Sequence, residues 1–395
     1  MSKARLTQGT PVSDIDPYSD ESLILPWPSY AKLQGMGSAV WLERYEMFAL
    51  TRYESVARAL KDDDVFSSAS GVMMNDDMNL VLRGNTLCSD GAEHQRLRRI
   101  VAKPLSSAAL ASLRDEITRM AELLVDRLFA KREFCAVADL ATPIPVAVVG
   151  SAVGLPAEGR EQMLQWGDAL FNCIGPMNDR TRAAFPKLEQ MMRYATTEAV
   201  RGKLKLGSWA EAILDAADSG EIDPAVCPAM MIDYMGPSLD TTICAISSGV
   251  WLFANNPEEW EKVRNSPALV PSAINEILRM ETPLQGFSRL VLSDYAMNEV
   301  VLPAGSRAIV FYGAANRDER KYSQPHKFQV ERNPADHVAF GTGPHACVGL
   351  HLAKLEMVAI FTAFAARVKR FRVHEDVRHV HNVLRGFERL QVSVE

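Results

Sequence analysis

A chain of 395 residues, 47% hydrophobic and 23% charged, has ordinary globular composition and ample length for a large core. Its formal net charge of −6 argues against a general affinity for nucleic acid. Six cysteines stand at 88, 135, 173, 227, 244 and 347. No two lie within four residues, which excludes zinc-type pairs, and their scatter suggests a reducing compartment rather than a disulfide framework. The polar start "MSKARLTQGTPVSDIDPYSD" holds neither a signal-peptide core nor a membrane-spanning run. A soluble cytoplasmic protein with no membrane contact is the expectation.

The first patterned stretch, "AVWLERYEMFALTRY" (39–53), predicts two short strands and a turn, followed by a helix over "YESVARALKD". From about 91 to 282 the pattern is mostly helical, as in "LSSAALASLRDEITRMAELLVDRLF" (105–129) and "PEEWEKVRNSP" (257–267), the latter with acids in its first turn. Residues 288–312 alternate and carry turn residues, which predicts small strands. Residues 313–346 are rich in Pro and Gly and read as irregular. From 347 to about 370 the chain predicts one long helix, apolar on most faces and therefore buried. Nothing resembles a linker. The expected fold is a single domain over 1–395, mainly α with a small β portion.

Within 230–241, "MIDYMGPSLDTT", a proline interrupts a helical pattern, flanked by Gly236 and Ser238. Proline inside a helix removes one hydrogen bond and costs about 3 kcal/mol. Asp233 lies four residues before it and Asp240 three after. Positions 233, 236, 237 and 241 fall on one face at helical spacing.

The loop "FGTGPHACVG" (340–349) allows three readings. Gly341 to Ala346 fits G-x-G-x-x-A, a dinucleotide loop, but the match is short and only about fifty residues follow it. A glycine turn beside a buried structural cysteine is the bland reading. The third is a thiolate ligand for haem iron, in which a helix starting at Cys347 aims amide hydrogens and its positive end at the sulfur. Gly343 and Gly349 then let backbone approach a flat macrocycle.

Phe340, Gly343, His345, Cys347 and Gly349 match F-x-x-G-x-[RH]-x-C-x-G, so the chain resembles the cytochrome P450 family. "EILR" (276–279) matches its E-x-x-R, and "PHKFQVER" (325–332) its P-x-x-F-x-x-x-R. The resemblance runs from about 40 to 395 and implies the P450 fold, haem b as cofactor and Cys347 as axial iron ligand. It implies cofactor contacts for His94, Arg98, Arg289, Phe340, His345 and Gly349. Glu276, Arg279 and Arg332 are implied to form a structural brace without a catalytic role. In the central helix, "LDTT" matches the family's acid–alcohol pair, so Asp240 and Thr241 are implied to deliver protons to bound oxygen. Pro237 and Ser238 depart from the family's small residue and glycine, and proline is expected to fix a helix distortion by its own geometry.

Segments that face substrate in the family correspond here to Val72, Leu170, Phe171, Ile174, Asp233, Gly236, Pro237, Leu284, Phe287 and Leu384. Most are apolar, which predicts a compact apolar cavity with few polar anchors. For Asp233, two roles stand open: a salt link to a basic residue of another loop, or a contact with a substrate donor such as a phenol or amine. The segments "FNCIGPMN", "PLQGF" and "NVLRGFERL" look similar to a bacterial subfamily that demethylates para-methoxybenzoates. The 67–70 stretch lacks that subfamily's carboxylate-binding arginine, and Asp233 would repel a carboxylate. A small aromatic such as a methoxyphenol is therefore expected as substrate, oxidised or O-demethylated with O2. No flavin, nicotinamide or iron–sulfur motif is present, so electrons are expected from a ferredoxin and its reductase, steered by "HQRLRRIVAKP" (94–104) and Lys354. Alternatives are a para-substituted benzoate demethylase, a peroxide-driven peroxygenase, an oxygen-independent isomerase or dehydratase, and a haem sensor without turnover.

Overall fold

In a computed structural model, residues 8–395 are described. The fold is mainly helical with a small β portion, as the sequence predicts. Val40–Leu42 and Met47–Leu50 pair antiparallel, and helix Tyr53–Lys61 follows. These two strands sit in a six-stranded mixed sheet. Its order runs Val12–Ser13, Val40–Leu42, Met47–Leu50, Arg307–Phe311, Gly286–Val291, Phe66–Ser67. A two-stranded hairpin, Tyr295–Met297 with Val300–Leu302, completes the strands expected over 288–312.

Two expectations need correction. The 105–129 stretch is not one helix. A 3-10 turn at Lys103–Leu105, a short helix at Ser107–Leu110 and another 3-10 turn precede helix Arg114–Lys131. The Ser106 hydroxyl accepts from the Ala109 N–H and starts a new helix where the pattern looked continuous. The long C-terminal helix runs Leu350–Arg367, so Cys347 precedes it by three residues. That helix is apolar nearly all round, and Met357, Ile360, Phe361 and Phe364 are buried. It packs on Arg114–Lys131 and on Val270–Glu281.

One stretch, Ala136–Val153, is long and apolar enough to cross a membrane by length and composition alone. Here it is split into a π-helical turn, Ala136–Ala141, and helix Pro143–Val153, and half of it is buried against the protein.

The chain ends in a hairpin, Phe371–Arg378 with Phe387–Val394, extended by Glu133–Cys135. Its connecting loop, 379–386, lies against helix Ala157–Ile174. Asn382 is the fastener: its Nδ2 donates to the Asn172 carbonyl at 2.8 Å and to Thr181 Oγ1 at 3.0 Å. A Cβ on Gly175 would stand 2.6 Å from the Asn382 Cβ, so glycine there lets loop and helix close up.

Charge is buried in two fully paired clusters. Arg279 grips Glu276 with Nε–Oε2 at 2.7 Å and Nη2–Oε1 at 2.8 Å, and Arg332 Nε adds 3.0 Å to the same carboxylate. Arg279 also donates to the carbonyls of Asn316 and Pro325. A second cluster centres on Glu281, which accepts from Arg378 at 2.9 Å, Arg385 at 3.0 Å and Arg317 at 3.4 Å. The sequence motif pointed to the first cluster and not to the second.

Candidate active site

A cavity of about 240 Å³ runs from the Cys347 loop to the middle of the broken central helix. Around Cys347 the backbone is held tightly. The Cys347 N–H donates to the Phe340 carbonyl at 2.8 Å, which closes the loop. Gly341 and Gly343 have φ of 67° and 76°, a region open to glycine. A Cβ on Gly343 would stand 2.4 Å from the Leu60 carbonyl oxygen. That glycine therefore admits the 60–61 backbone, rather than a macrocycle as expected. The N–H groups of Gly349 and Leu350 face the Cys347 sulfur and, with the Arg98 charge, oppose the upward push of burial on its thiol. The donors come from the helix start although the cysteine is outside the helix.

The implied haem ligands line the cavity in most cases: Phe340, His345, Cys347, Gly349, His94 and Arg98 all do. Arg98 donates to the Ala346 carbonyl, bracing the loop from the opposite side. His94 is buried, its Nε2 has no hydrogen-bond partner, and burial pushes its pKa down to about 4. It is therefore neutral at physiological pH. His345 stacks on it at 4.1 Å, but its Nε2 is held by Asp90 at 3.2 Å. Arg289 lies behind the wall. It is buried, donates to the Ser288 carbonyl at 2.9 Å and touches Tyr312, which does line the cavity. A buried guanidinium without an ion pair among the described residues, an orphaned His94 nitrogen and a cysteine ringed by donors suit a flat, dianionic, thiolate-ligated group. The residues present fit haem b.

The opposite wall is the broken helix. It consists of two helices, Cys227–Met235 and Asp240–Asn255, joined by a non-helical turn. Pro237 has no N–H to offer the Asp233 carbonyl. The Ser238 hydroxyl partly repairs the break by donating to the Tyr234 carbonyl at 2.6 Å. Pro237, Ser238, Thr241 and Thr242 line the cavity. Asp240 does not. Its carboxyl turns away toward helix Ala157–Ile174, where a Cβ on Gly167 would stand 2.2 Å from its Oδ2. Oδ2 is buried without a hydrogen-bond partner, and burial together with Asp168 raises the acid to about 8. Asp240 thus keeps its proton at neutral pH, one residue from the Thr241 hydroxyl.

Asp233 opens onto the cavity and accepts from the Thr86 N–H at 2.9 Å. Among the described residues no basic side chain pairs with it, so the expected salt link is replaced by a backbone donor. Burial raises its carboxyl to about 6, and the Thr86 contact limits the shift. Leu170, Phe171, Ile174, Leu284 and Phe287 supply apolar wall as expected.

Three expected substrate contacts are elsewhere. Val72 is wholly buried beside the sheet, where its carbonyl accepts from the Ser288 N–H. Gly236 faces helix Ala157–Ile174, and a Cβ there would stand 2.3 Å from Leu170 Cδ2. The helical wheel placed it on the cavity face, but the break turns the chain. Leu384 bridges Leu284 from behind. The cavity also takes in Asn85, Thr86 and Trp209, which no sequence pattern marked, and Glu356.

A family model for cytochrome P450 matches residues 265–391. "Cytochrome p450 CYP199A2" of Rhodopseudomonas palustris is 31% identical over 98% of this chain and 95% of its own length. The "Beta-dihydromenaquinone-9 omega-hydroxylase" of Mycobacterium tuberculosis is 28% identical over 97% of this chain and 79% of its own. Among solved structures, P450BioI bound to an acyl-loaded acyl carrier protein superposes with a TM-score of 0.85. It is 24% identical, over 95% of this chain and 99% of that one.

Proposed function

The chain belongs to the cytochrome P450 family and is a haem-thiolate monooxygenase, and from that premise we propose that it oxidises a small phenolic aromatic, by hydroxylation or O-demethylation. The observation that carries this reading is Asp233. It is an acid in a largely apolar cavity, and among the described residues its hydrogen-bond donor is the Thr86 N–H. With a pKa of about 6 it is mostly ionised at neutral pH. An ionised carboxylate there accepts from a phenol hydroxyl and repels a benzoate. In the 67–70 stretch, which lacks the similar subfamily's carboxylate-binding arginine, the Ser67 hydroxyl and the Ala69 N–H donate to Asp90 at 2.7 and 2.9 Å.

Haem b, bound through Cys347, supplies the iron at which dioxygen is reduced and its O–O bond cleaved. The chain's residues do the rest. Gly349 and Leu350 N–H groups stabilise the sulfur's negative charge. His94 and Arg98 bind the carboxylate groups of the cofactor's edge, and Arg289 adds its charge from behind the wall. Leu170, Phe171, Ile174 and Phe287 exclude water and press the substrate ring toward the iron side. Asp233 fixes the substrate's polar end. Thr241 presents its hydroxyl on the cavity side, and Asp240 holds the proton that replaces one passed through it. Electrons come from an acidic ferredoxin at the face carrying Arg96, Arg99 and Lys103, and the enzyme works in the cytoplasm.

Spin-state titration of the holoenzyme with matched methoxyphenol and methoxybenzoate ligands tests the reading. The phenol is expected to shift the haem at lower concentration, and Asp233→Asn to narrow the gap. A tighter shift with the benzoate would sink the proposal.

A further inference from the structure

The residue pattern leaves two kinds of substrate donor open for Asp233, a phenol or an amine. A carboxylate alone favours a protonated amine, since a charged donor makes the stronger hydrogen bond. What stands beside the carboxylate therefore decides its ligand. The neighbour is the turn over 85–88, whose Thr86 N–H holds Asp233 Oδ2 at 2.9 Å.

Asn85, one residue earlier, is 2% exposed and lines the same cavity. Its carboxamide has an accepting end and a donating end, and the turn fixes which is which. The Cys88 N–H donates to Asn85 Oδ1 at 2.8 Å, so the oxygen is spent inside the turn and the NH2 is the free end. Nδ2 has no hydrogen bond among the described residues, yet it is not sealed off as the Thr86 hydroxyl is. The turn that presents it is pinned. The Asn85 N–H donates to the Leu82 carbonyl at 3.3 Å, and the Ser89 hydroxyl donates to the Thr86 carbonyl at 2.9 Å. A buried amide held in one orientation with its donors unused is preset for a ligand acceptor.

We propose that Asn85 is a specificity-determining residue: its Nδ2 donates to the substrate oxygen whose hydrogen Asp233 accepts, so the pair reads a neutral hydroxyl and selects against an ammonium. The inference rests on the phenolic reading of Asp233. A phenol oxygen satisfies both partners, giving its one hydrogen to the carboxylate and offering a lone pair to the amide. An ammonium has donors only, and it leaves the Asn85 NH2 unpaired and facing a cation. An aryl ether accepts from Asn85 but has no hydrogen for Asp233.

Spectral titration of the ferric holoenzyme at mildly alkaline pH with 4-methoxyphenol, 4-methoxybenzylamine and 4-methoxybenzoate tests it. Asn85→Asp keeps an acceptor for the Cys88 N–H and removes the donor. It is expected to weaken the phenol about tenfold, the worth of one hydrogen bond, and to strengthen the ammonium. Asn85→Ala removes the donor and the turn's acceptor together. Its phenol-to-ammonium preference is expected to fall in the same direction, on top of any weakening common to both ligands. If the preference is unchanged in both variants, including the case where all ligands weaken alike, Asn85 has a structural role only and the inference is overturned. If the unsubstituted enzyme binds the benzoate more tightly than the phenol, the phenolic reading itself falls.

Discussion

The two walls of the cavity are built on opposite principles. On the Cys347 side, the backbone donors and the nearest cation are engaged: Cys347 N–H with Phe340, Arg98 with Ala346, Gly349 and Leu350 with sulfur. On the broken-helix side, Asp240 Oδ2 has no hydrogen-bond partner and Asp233 has one backbone donor. A satisfied network fixes one geometry, whereas raised, under-partnered acids are ready to exchange protons or accept a ligand. The first wall holds; the second reacts.

Breaking the holding wall should have the largest effects. Cys347→Ser is expected to abolish the thiolate-type ferrous–CO spectrum altogether, and its persistence would remove Cys347 as ligand. Arg279→Leu leaves the Glu276 carboxylate buried beside only Arg332, and loss of one partner from a buried pair costs about 3–5 kcal/mol. Denaturant unfolding of the holoenzyme measures it.

On the reactive wall the effects are smaller and pH-dependent. Asp240 rises from 3.8 to about 8 on folding. The folded state therefore binds more protons than the unfolded one between those values. The associated stability is present below 3.8 and lost as pH rises through about 8. Asp240→Asn should flatten that decline, by a few kcal/mol in order of magnitude, as read from unfolding midpoints across the pH range. Smallest is Gly167→Ala, whose Cβ would meet Asp240 Oδ2 at 2.2 Å and the Gly236 carbonyl oxygen at 2.7 Å. It should destabilise by about 1–3 kcal/mol. Gly35→Ala, with nothing within 4 Å of its Cβ, is the control and should be neutral or mildly stabilising.

The same division explains what could be read in the sequence. Most of the holding wall lies close in the chain, from Phe340 to Leu350, so spacing reveals it, as it reveals the Glu276–Arg279 pair one helical turn apart outside the cavity; the distant brace from Arg98 has no such local signal. The reactive wall depends on distant partners. Thr86 lies 147 residues from Asp233, and nothing in "GNTLCSD" (84–90) announces an amide aimed at an acid. Gly236 was misplaced for a local reason: the helical wheel was carried through a proline that ends the helix. Val72 and Leu384 were misplaced because a loop's contribution to a cavity depends on how its backbone pairs with the sheet and with Leu284. The close approach of the Asp240 carboxyl to Gly167 had no signal, since a lone glycine in a helix reads only as a weak position.

The Glu281 cluster has a consequence for how the molecule is assembled. Its three arginines lie 36, 97 and 104 residues further along the chain. Arg385 also donates to the carbonyl of Ile24, at the other end of the sequence. A chain leaving the ribosome therefore meets Arg317 first, and the acid at the end of helix Val270–Glu281 gains its full set of partners only once Arg378 and Arg385 have emerged. Only then can the N-terminal segment and the helix be latched together by one guanidinium. Truncation before residue 385 would remove this latch along with strand Phe387–Val394.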